Sequence, residues 1–107
     1  MATVTVFSNA QSDTVSTVSS GSLPSGTRMS VVVAVASVHT TNDPAIFIPE
    51  FALDVQEVLT TGEAVDVCSS IIKFDWPTIF DINSGSALHF TLRGVKNGGV
   101  DVYVETP

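Results

Sequence analysis

The stretch LHFTLRGVKNGGVDVYVE, residues 88–105, decides the fold class. Apolar and polar side chains alternate through residues 88–93 and again through residues 100–105, and a glycine-containing segment separates the two runs. A period of two residues places alternate side chains on opposite faces of a β-strand. The stretch therefore predicts two strands, each with one buried face.

The segment between these two runs predicts how they pair. A three-residue loop over residues 96–98, with Gly98 in the left-handed conformation, turns the chain back as a hairpin. The apolar sets of both strands then share one face, and the charged side chains are matched as well. The expected opposite pairs are Leu92 with Val102, Phe90 with Val104, Arg93 with Asp101 and His89 with Glu105.

The same alternation recurs along the rest of the chain. Residues 3–7 predict a first strand, and residues 29–39 predict a long strand that is apolar on both faces and so covered on both. Thr60-Thr61-Gly62-Glu63 predicts a hairpin turn between strands at 51–59 and 64–68. Further elements are a strand on which Ile72, Phe74 and Trp76 share a face and which Pro77 ends, and a turn at residues 83–86.

Residues 8–28 differ from the remainder in composition. They are rich in Ser, Thr and Gly, with Pro24 between Gly21 and Gly26. This composition predicts a loop or an arm that orders against a partner, with room for a short strand at Val15 and Val18.

The length and the absence of a sustained helical period define the fold class. At 107 residues the chain fits one domain. We predict a single all-β domain over residues 1–107, a small antiparallel β-sandwich of about seven to nine short strands. Immunoglobulin-like and jelly-roll arrangements both remain open.

The charge balance argues against two classes of partner. Only 14% of the residues are charged, and four bases against eleven acids give a net charge of −7. The bases Arg28, Lys73, Arg93 and Lys96 do not cluster in sequence, whereas binding a phosphate backbone needs several converging cations. We therefore expect neither nucleic-acid binding nor attraction to an anionic membrane.

Cysteine content and the N-terminal sequence bear on the compartment. Cys68 is the single cysteine, so no disulfide forms within the chain. The first residues lack the basic and apolar regions of a signal peptide, and the longest apolar run, residues 31–36, is too short to span a membrane. We expect synthesis in the cytoplasm without a signal peptide, with a virion as the final location if the protein is an assembly subunit.

The polar residues do not form a recognisable catalytic or metal-binding motif. His39, His89 and Cys68 are separated in sequence, and there is no Gly-x-Ser-x-Gly elbow. Residues 81–85 resemble the start of a calcium loop, but Leu92 stands where the closing glutamate belongs. A weak cation site at Asp75 and Asp81 is an alternative to ordinary loop solvation. We predict no catalytic residue, no metal site and no cofactor.

Two apolar segments at strand ends are the candidate interface. One is Ile46-Phe47-Ile48, held between Pro44 and Pro49, and the other contains Trp76, Ile79 and Phe80. Aromatic side chains in such positions often anchor protein–protein contacts. The alternative is that both segments fold back and plug the ends of the sandwich.

These observations favour a structural protein over an enzyme. The low charge, the Ser/Thr/Val-rich composition and the apolar segments predict a subunit that acts through protein–protein contacts, as a homo-oligomer or within a larger assembly. A decoration or capsid-associated subunit of a phage-type virion is an example. The alternative is a carbohydrate-binding or immunoglobulin-like adhesion module, for which exposed aromatic rings would provide stacking surfaces.

Overall fold

The computed structural model describes residues 2–40 and 46–106, with Ile46 described through its backbone alone. The predicted all-β fold is confirmed: strands make up 67% of the structure and helix 3%. A single 3-10 turn spans Ser20–Ser22. The strands are β1 (Thr3–Ala10), β2 (Thr14–Val18), β3 (Arg28–Thr40), β4 (Ile46–Phe47), β5 (Glu50–Val58), β6 (Ala64–Ile71), β7 (Thr78–Asp81), β8 (Ala87–Lys96) and β9 (Gly98–Glu105).

The strands pair as one long antiparallel ribbon that closes at the β5–β6 hairpin. β5 pairs with β6, β3 with β7, β2 with β8 and β1 with β9. The ribbon rolls up so that its pairs alternate between two sheets. The first has the order β1-β9-β3, with β4 and β7 both on the outer edge of β3, and the second has the order β2-β8-β5-β6. This is a jelly-roll order rather than an immunoglobulin-like one.

The predicted hairpin between residues 88–93 and 100–105 is wrong. β8 pairs with β2 and β5 in one sheet, whereas β9 pairs with β1 and β3 in the other. Phe90 and Val104 are both fully buried in the same core, but they enter it from opposite sheets. Alternation of apolar residues requires a buried face, and strands facing each other across a sandwich satisfy that requirement as well as neighbouring strands do.

The crossing from β8 to β9 uses the residues that the sequence assigned to the hairpin loop. Asn97 has φ of 69° and Gly98 has φ of 139°, so Gly98 takes the positive φ expected of it, but in a connection between sheets. Arg93 does not meet Asp101. Its Nε donates a hydrogen bond to Oδ2 of Asp54 on β5, at 3.0 Å.

The core lies between the two sheets and contains the inward-facing side chains of both. On β3, Val31 and Val33 are inside the core and Val32, on the other face, is only 8% exposed. The expected covering of both faces therefore holds for the first half of β3, whereas Val35 is 39% exposed and Ala36 is exposed. The fully buried apolar residues include Val31, Leu53, Val55, Leu88, Phe90, Val100, Val102 and Val104.

Three further local expectations are confirmed, and the end of the first strand is corrected. The short strand expected at Val15 and Val18 is β2, which pairs with β8, while residues 23–27 carry no helix or strand. By contrast, β1 continues beyond Phe7 to Ala10, so residues 8–10 are not part of a loop or arm but pair with β9. The turn at residues 60–63 joins β5 to β6, and the turn at 83–86 is closed by a hydrogen bond from Ser86 N to the Asn83 carbonyl.

Candidate functional site

The Trp76 loop, residues 72–77, joins β6 to β7 at the edge of the first sheet. It is not the predicted strand, because Asp75 has φ of 57° and turns the chain out of the extended conformation. Phe74 packs against the core, while Ile72 and Trp76 are 64% and 68% exposed. The prediction that these three apolar side chains share one face is therefore wrong.

Two contacts fix the Trp76 loop to the sandwich. The Phe74 ring packs on Phe51 of β5, with ring centroids 4.8 Å apart and tilted by 52°. The backbone N–H of Asp75 donates to the carbonyl of Val33 on β3, at 2.7 Å. Because both contacts lie in the middle of the loop, the side chains on either side of them are presented from a fixed backbone.

A shallow groove of about 170 Å³ runs beside the exposed indole of Trp76. The Nζ atom of Lys73 lies 5.9 Å from the centroid of the Trp76 ring, within the range of a cation–π interaction. The groove thus combines apolar surface with two hydroxyl groups and one ammonium group. Its lining residues are Ser70, Ile71, Ile72, Lys73, Trp76 and Thr78.

The two other predicted residues of this segment lie on β7. Ile79 is 56% exposed and extends the apolar surface along the edge strand. Phe80 is half-buried and packs against the core, so it is not among the presented side chains. Ile72 is not among the predicted interface residues, but its side chain is exposed beside Trp76.

The second predicted segment lies at the other end of β3. β4 pairs there, with Phe47 opposite His39 and their ring centroids 6.0 Å apart. Phe47 is 42% exposed and Ile48 is 65% exposed, whereas Pro49 is buried. The side chain of Ile46 lies outside the described residues.

The fold brings both apolar segments to one edge of the first sheet. β7 pairs with Arg28–Val31 and β4 pairs with His39–Thr40, both on the side of β3 away from β9. At the rise of a strand, the end of the first pairing and the start of the second are separated by roughly 25 Å along β3. The segments are distant in sequence, and nothing in their composition indicates this convergence.

The two histidines and the cysteine contact neighbouring strands or the core. Nδ1 of His89 lies 2.7 Å from Oγ1 of Thr17, its cross-strand neighbour on β2. His39 lies against Phe47. Cys68 is half-buried against the core, and this burial raises the pKa of its thiol. A thiol with a raised pKa carries little of the reactive thiolate at neutral pH.

Asp75 and Asp81, the two acids of the predicted weak cation site, make different contacts in the structure. Asp81 forms an ion pair with Arg28 at 3.6 Å, across the β3–β7 pairing, while Asp75 contributes its backbone to the anchor of the Trp76 loop. Within residues 2–40 and 46–106, no three His, Cys, Asp or Glu side chains converge as a metal site would require.

The buried carboxylate of Glu57 is not among the residues predicted from the sequence. This side chain is 6% exposed, and its Oε2 accepts hydrogen bonds from the Ser86 hydroxyl at 2.6 Å and from Asn83 N and Nδ2 at 2.8 and 2.9 Å. Burial alone raises the pKa of Glu57, but these hydrogen bonds together outweigh it, and the pKa lies below 4.5. The signal was available, because Glu57 continues the inward-facing series of Phe51, Leu53 and Val55.

Ser86 and Asn83 also line a cleft of about 460 Å³ at the same end of the sandwich. One wall is formed by residues 20–27 and the other by residues 82–86, and the N–H of Ile82 donates to the carbonyl of Thr27 at 2.7 Å to join the walls. None of the lining residues is ionisable. Glu57 therefore lies behind the cleft and holds the wall that contains Ser86 and Asn83, of which Asn83 is exposed.

Replacing Glu57 with glutamine tests this arrangement. Hydrogen bonds to a charged acceptor stabilise more than neutral ones, so we expect the free energy of unfolding to fall by about 1–3 kcal/mol at neutral pH. In the wild type, the pKa of Glu57 is lower in the folded state than its ordinary value of 4.5. Its ionised carboxylate therefore contributes its full share of the free energy of unfolding above pH 4.5, and this share is lost as the pH falls through the folded-state pKa. The glutamine variant should therefore lose less stability on acidification. Urea unfolding from neutral pH to about pH 3 measures both effects.

The matched control is Glu63→Gln, which removes an exposed acid from the β5–β6 turn. We expect it to change stability by less than about 0.5 kcal/mol. Part of the acid dependence should remain in Glu57→Gln, because the hydrogen bond from Arg93 and then that from Ser70 N lower the pKa of Asp54 as well. A glutamine variant as stable as the wild type, with the same acid dependence, would contradict the assigned role of Glu57.

No helix among the described residues has the length and apolarity to cross a membrane. Comparison of the chain with protein-family models, with curated proteins and with solved structures finds no match.

Proposed function

We propose that this protein is a non-enzymatic structural subunit that assembles through protein–protein contacts centred on the Trp76 loop. The observation that carries the proposal is the exposure of Ile72 and Trp76 on a backbone anchored at Phe74 and Asp75. Tryptophan is among the residues most often dominant in interface energetics. A fixed presentation lowers the entropy lost on binding.

The remaining surface supports association through apolar rather than ionic contacts. Arg28, Arg93 and Lys96 are engaged in ion pairs within the chain, at 3.6, 3.0 and 3.3 Å, and Lys73 lies over Trp76. The exposed apolar groups Ile79, Phe47 and Ile48 lie on the same edge of the first sheet as the Trp76 loop.

A decoration or capsid-associated subunit of a virion is the assembly we propose. Jelly rolls occur in viral capsid domains, and the low charge agrees with a surface covered by neighbouring subunits. The same fold also serves lectins and enzymes, so fold is analogy here and the argument rests on the Trp76 loop.

Self-association tests the proposal. We expect sedimentation equilibrium to show concentration-dependent association of the wild type. Replacing Trp76 with serine should raise the dissociation constant by at least about tenfold, because a central aromatic anchor commonly contributes 2 kcal/mol or more. The matched control is Val15→Ser on β2, which removes a side chain that is 62% exposed but lies in the other sheet.

Salt provides a second, independent readout. Two copies each carrying a net charge of −7 repel each other. Raising the ionic strength from about 0.01 to 1 M shortens the screening length from about 30 to 3 Å, so an apolar contact should strengthen with salt. A wild type that remains monomeric over the whole range, or a Val15→Ser effect equal to that of Trp76→Ser, would contradict the proposal.

A further inference from the structure

We infer that the cleft between residues 20–27 and 82–86 binds a neutral, hydroxyl-rich ligand of the size of a mono- or disaccharide. Its volume of about 460 Å³ lies in the usual range for small-molecule sites. The inference is separate from the association proposed for the Trp76 loop, which lies elsewhere on the molecule. It rests on the lining chemistry and on the way the walls are held.

The lining combines an apolar base with a hydroxylated rim. Met29, Ile82 and Pro24 are buried and close the floor of the cleft. The half-buried Leu23 provides apolar surface, and Ser25 and Ser84 are exposed at the rim. A sugar ring has the complementary arrangement, with a face of C–H groups and a periphery of hydroxyl groups. The cleft thus offers apolar contact to the ring and hydrogen-bond partners to its hydroxyls.

The absence of ionisable side chains from the lining determines the charge of the ligand. An anionic group placed in the cleft would lose hydration without gaining a cationic partner, and it would face the Glu57 carboxylate behind the wall, which is unfavourable. Neutral hydroxyls exchange hydrogen bonds with water for hydrogen bonds with serine, threonine and asparagine at little cost. A neutral ligand is therefore favoured over a phosphate or a carboxylate.

The cleft is formed before any ligand arrives. The hydrogen bond from Ile82 N to Thr27 O and the adjacent β3–β7 pairing hold the two walls together. Behind one wall, Glu57 Oε2 accepts hydrogen bonds from the Ser86 hydroxyl at 2.6 Å and from Asn83 Nδ2 at 2.9 Å. Ser86 is only 1% exposed and serves to hold the wall, whereas Asn83 is exposed, and with its Nδ2 directed at Glu57 its Oδ1 remains to accept a hydrogen bond from a sugar hydroxyl.

A nitrogen-15 NMR titration of the full chain tests the inference with four neutral probes: maltose, cellobiose, lactose and methyl α-mannoside. We expect at least one probe to shift the amide signals of residues 20–27 and 82–86. The double variant Ser25→Ala/Ser84→Ala should weaken that binding by about tenfold, as expected for two lost hydrogen bonds. These rim positions are chosen because they are exposed, so the fold should tolerate the change.

The matched control is Ser69→Ala, an exposed serine on β6 outside the cleft, which should leave the affinity unchanged. Shifts confined to the Trp76 loop and abolished by Trp76→Ser would place sugar binding on the indole and overturn the inference. The absence of shifts with all four probes, or tighter binding of the anionic sugar sialyllactose than of lactose, would also overturn it.

Discussion

Replacing Gly98 with alanine should lower the free energy of unfolding by about 2–6 kcal/mol. Gly98 has φ of 139°, a region that residues with a Cβ rarely adopt, and this strain costs about 1–3 kcal/mol. A Cβ at this position would also collide with the Ser37 carbonyl oxygen and lie 2.8 Å from Cγ of Pro49. Such overpacking typically adds 1–3 kcal/mol. The expected loss is large because backbone strain and steric overlap occur at the same residue.

Gly21→Ala is the control for this variant. Its Cβ would meet no atom within 4 Å, and its φ is not positive. We expect a change of less than about 0.5 kcal/mol in chemical denaturation. A Gly98→Ala protein as stable as Gly21→Ala would show that the β8–β9 connection does not take the course described above.

Replacing Phe90 with alanine should cost about 3–5 kcal/mol, the usual range for removing a fully buried aromatic ring. Phe90 is the largest of the completely buried side chains, and it fills the space between the two sheets. Because a domain of this size has a stability of roughly 5–15 kcal/mol, the variant should unfold at a much lower urea concentration.

Phe47→Ala removes the same ring from a site that is 42% exposed, and it is the matched control. Less apolar surface returns to water and no closed cavity forms, so the expected cost is below about 1.5 kcal/mol. Equal destabilisation by the two variants would contradict the assignment of Phe90 to the core and of Phe47 to the surface.

The local elements of this fold were predictable because they depend on neighbouring residues. The long strand β3, the β5–β6 hairpin and the turn at 83–86 follow from alternation and from glycine position. The pairing of β1 with β9 does not, since it joins Thr3 to Glu105 across the chain and depends on how the whole ribbon rolls up. Short-range patterns hold no information on that closure.

The predicted hairpin between residues 88–93 and 100–105 is wrong because alternation of apolar and polar residues was used to choose a neighbouring strand. Leu92 and Val102 do face the same core, as their alternation requires, and charge matching then favoured Arg93 beside Asp101. Asp54 on β5 satisfies Arg93 equally well at 3.0 Å. A sequence pattern identifies which face of a strand is buried, but it does not identify the neighbour of that strand.

The Trp76 loop and Glu57 illustrate two further differences. The alternation of Ile72, Phe74 and Trp76 is typical of a strand, but the left-handed backbone of Asp75 breaks the extended conformation between Phe74 and Trp76. For Glu57, by contrast, the inward parity was visible in the sequence. Its hydrogen-bond partners Ser86 and Asn83 were not visible in the sequence, because they lie on the turn before β8, far from Glu57 along the chain.

The fluorescence of Trp76 as a function of protein concentration tests the central claim most directly. The chain contains a single tryptophan, so all indole emission reports on this side chain. We predict a solvent-exposed spectrum with free access of a quencher at low concentration. At concentrations where sedimentation detects association, the emission should shift to the blue and the quencher should lose access. Associated protein with an unchanged, fully quenchable spectrum would contradict the assignment of the Trp76 loop as the contact surface.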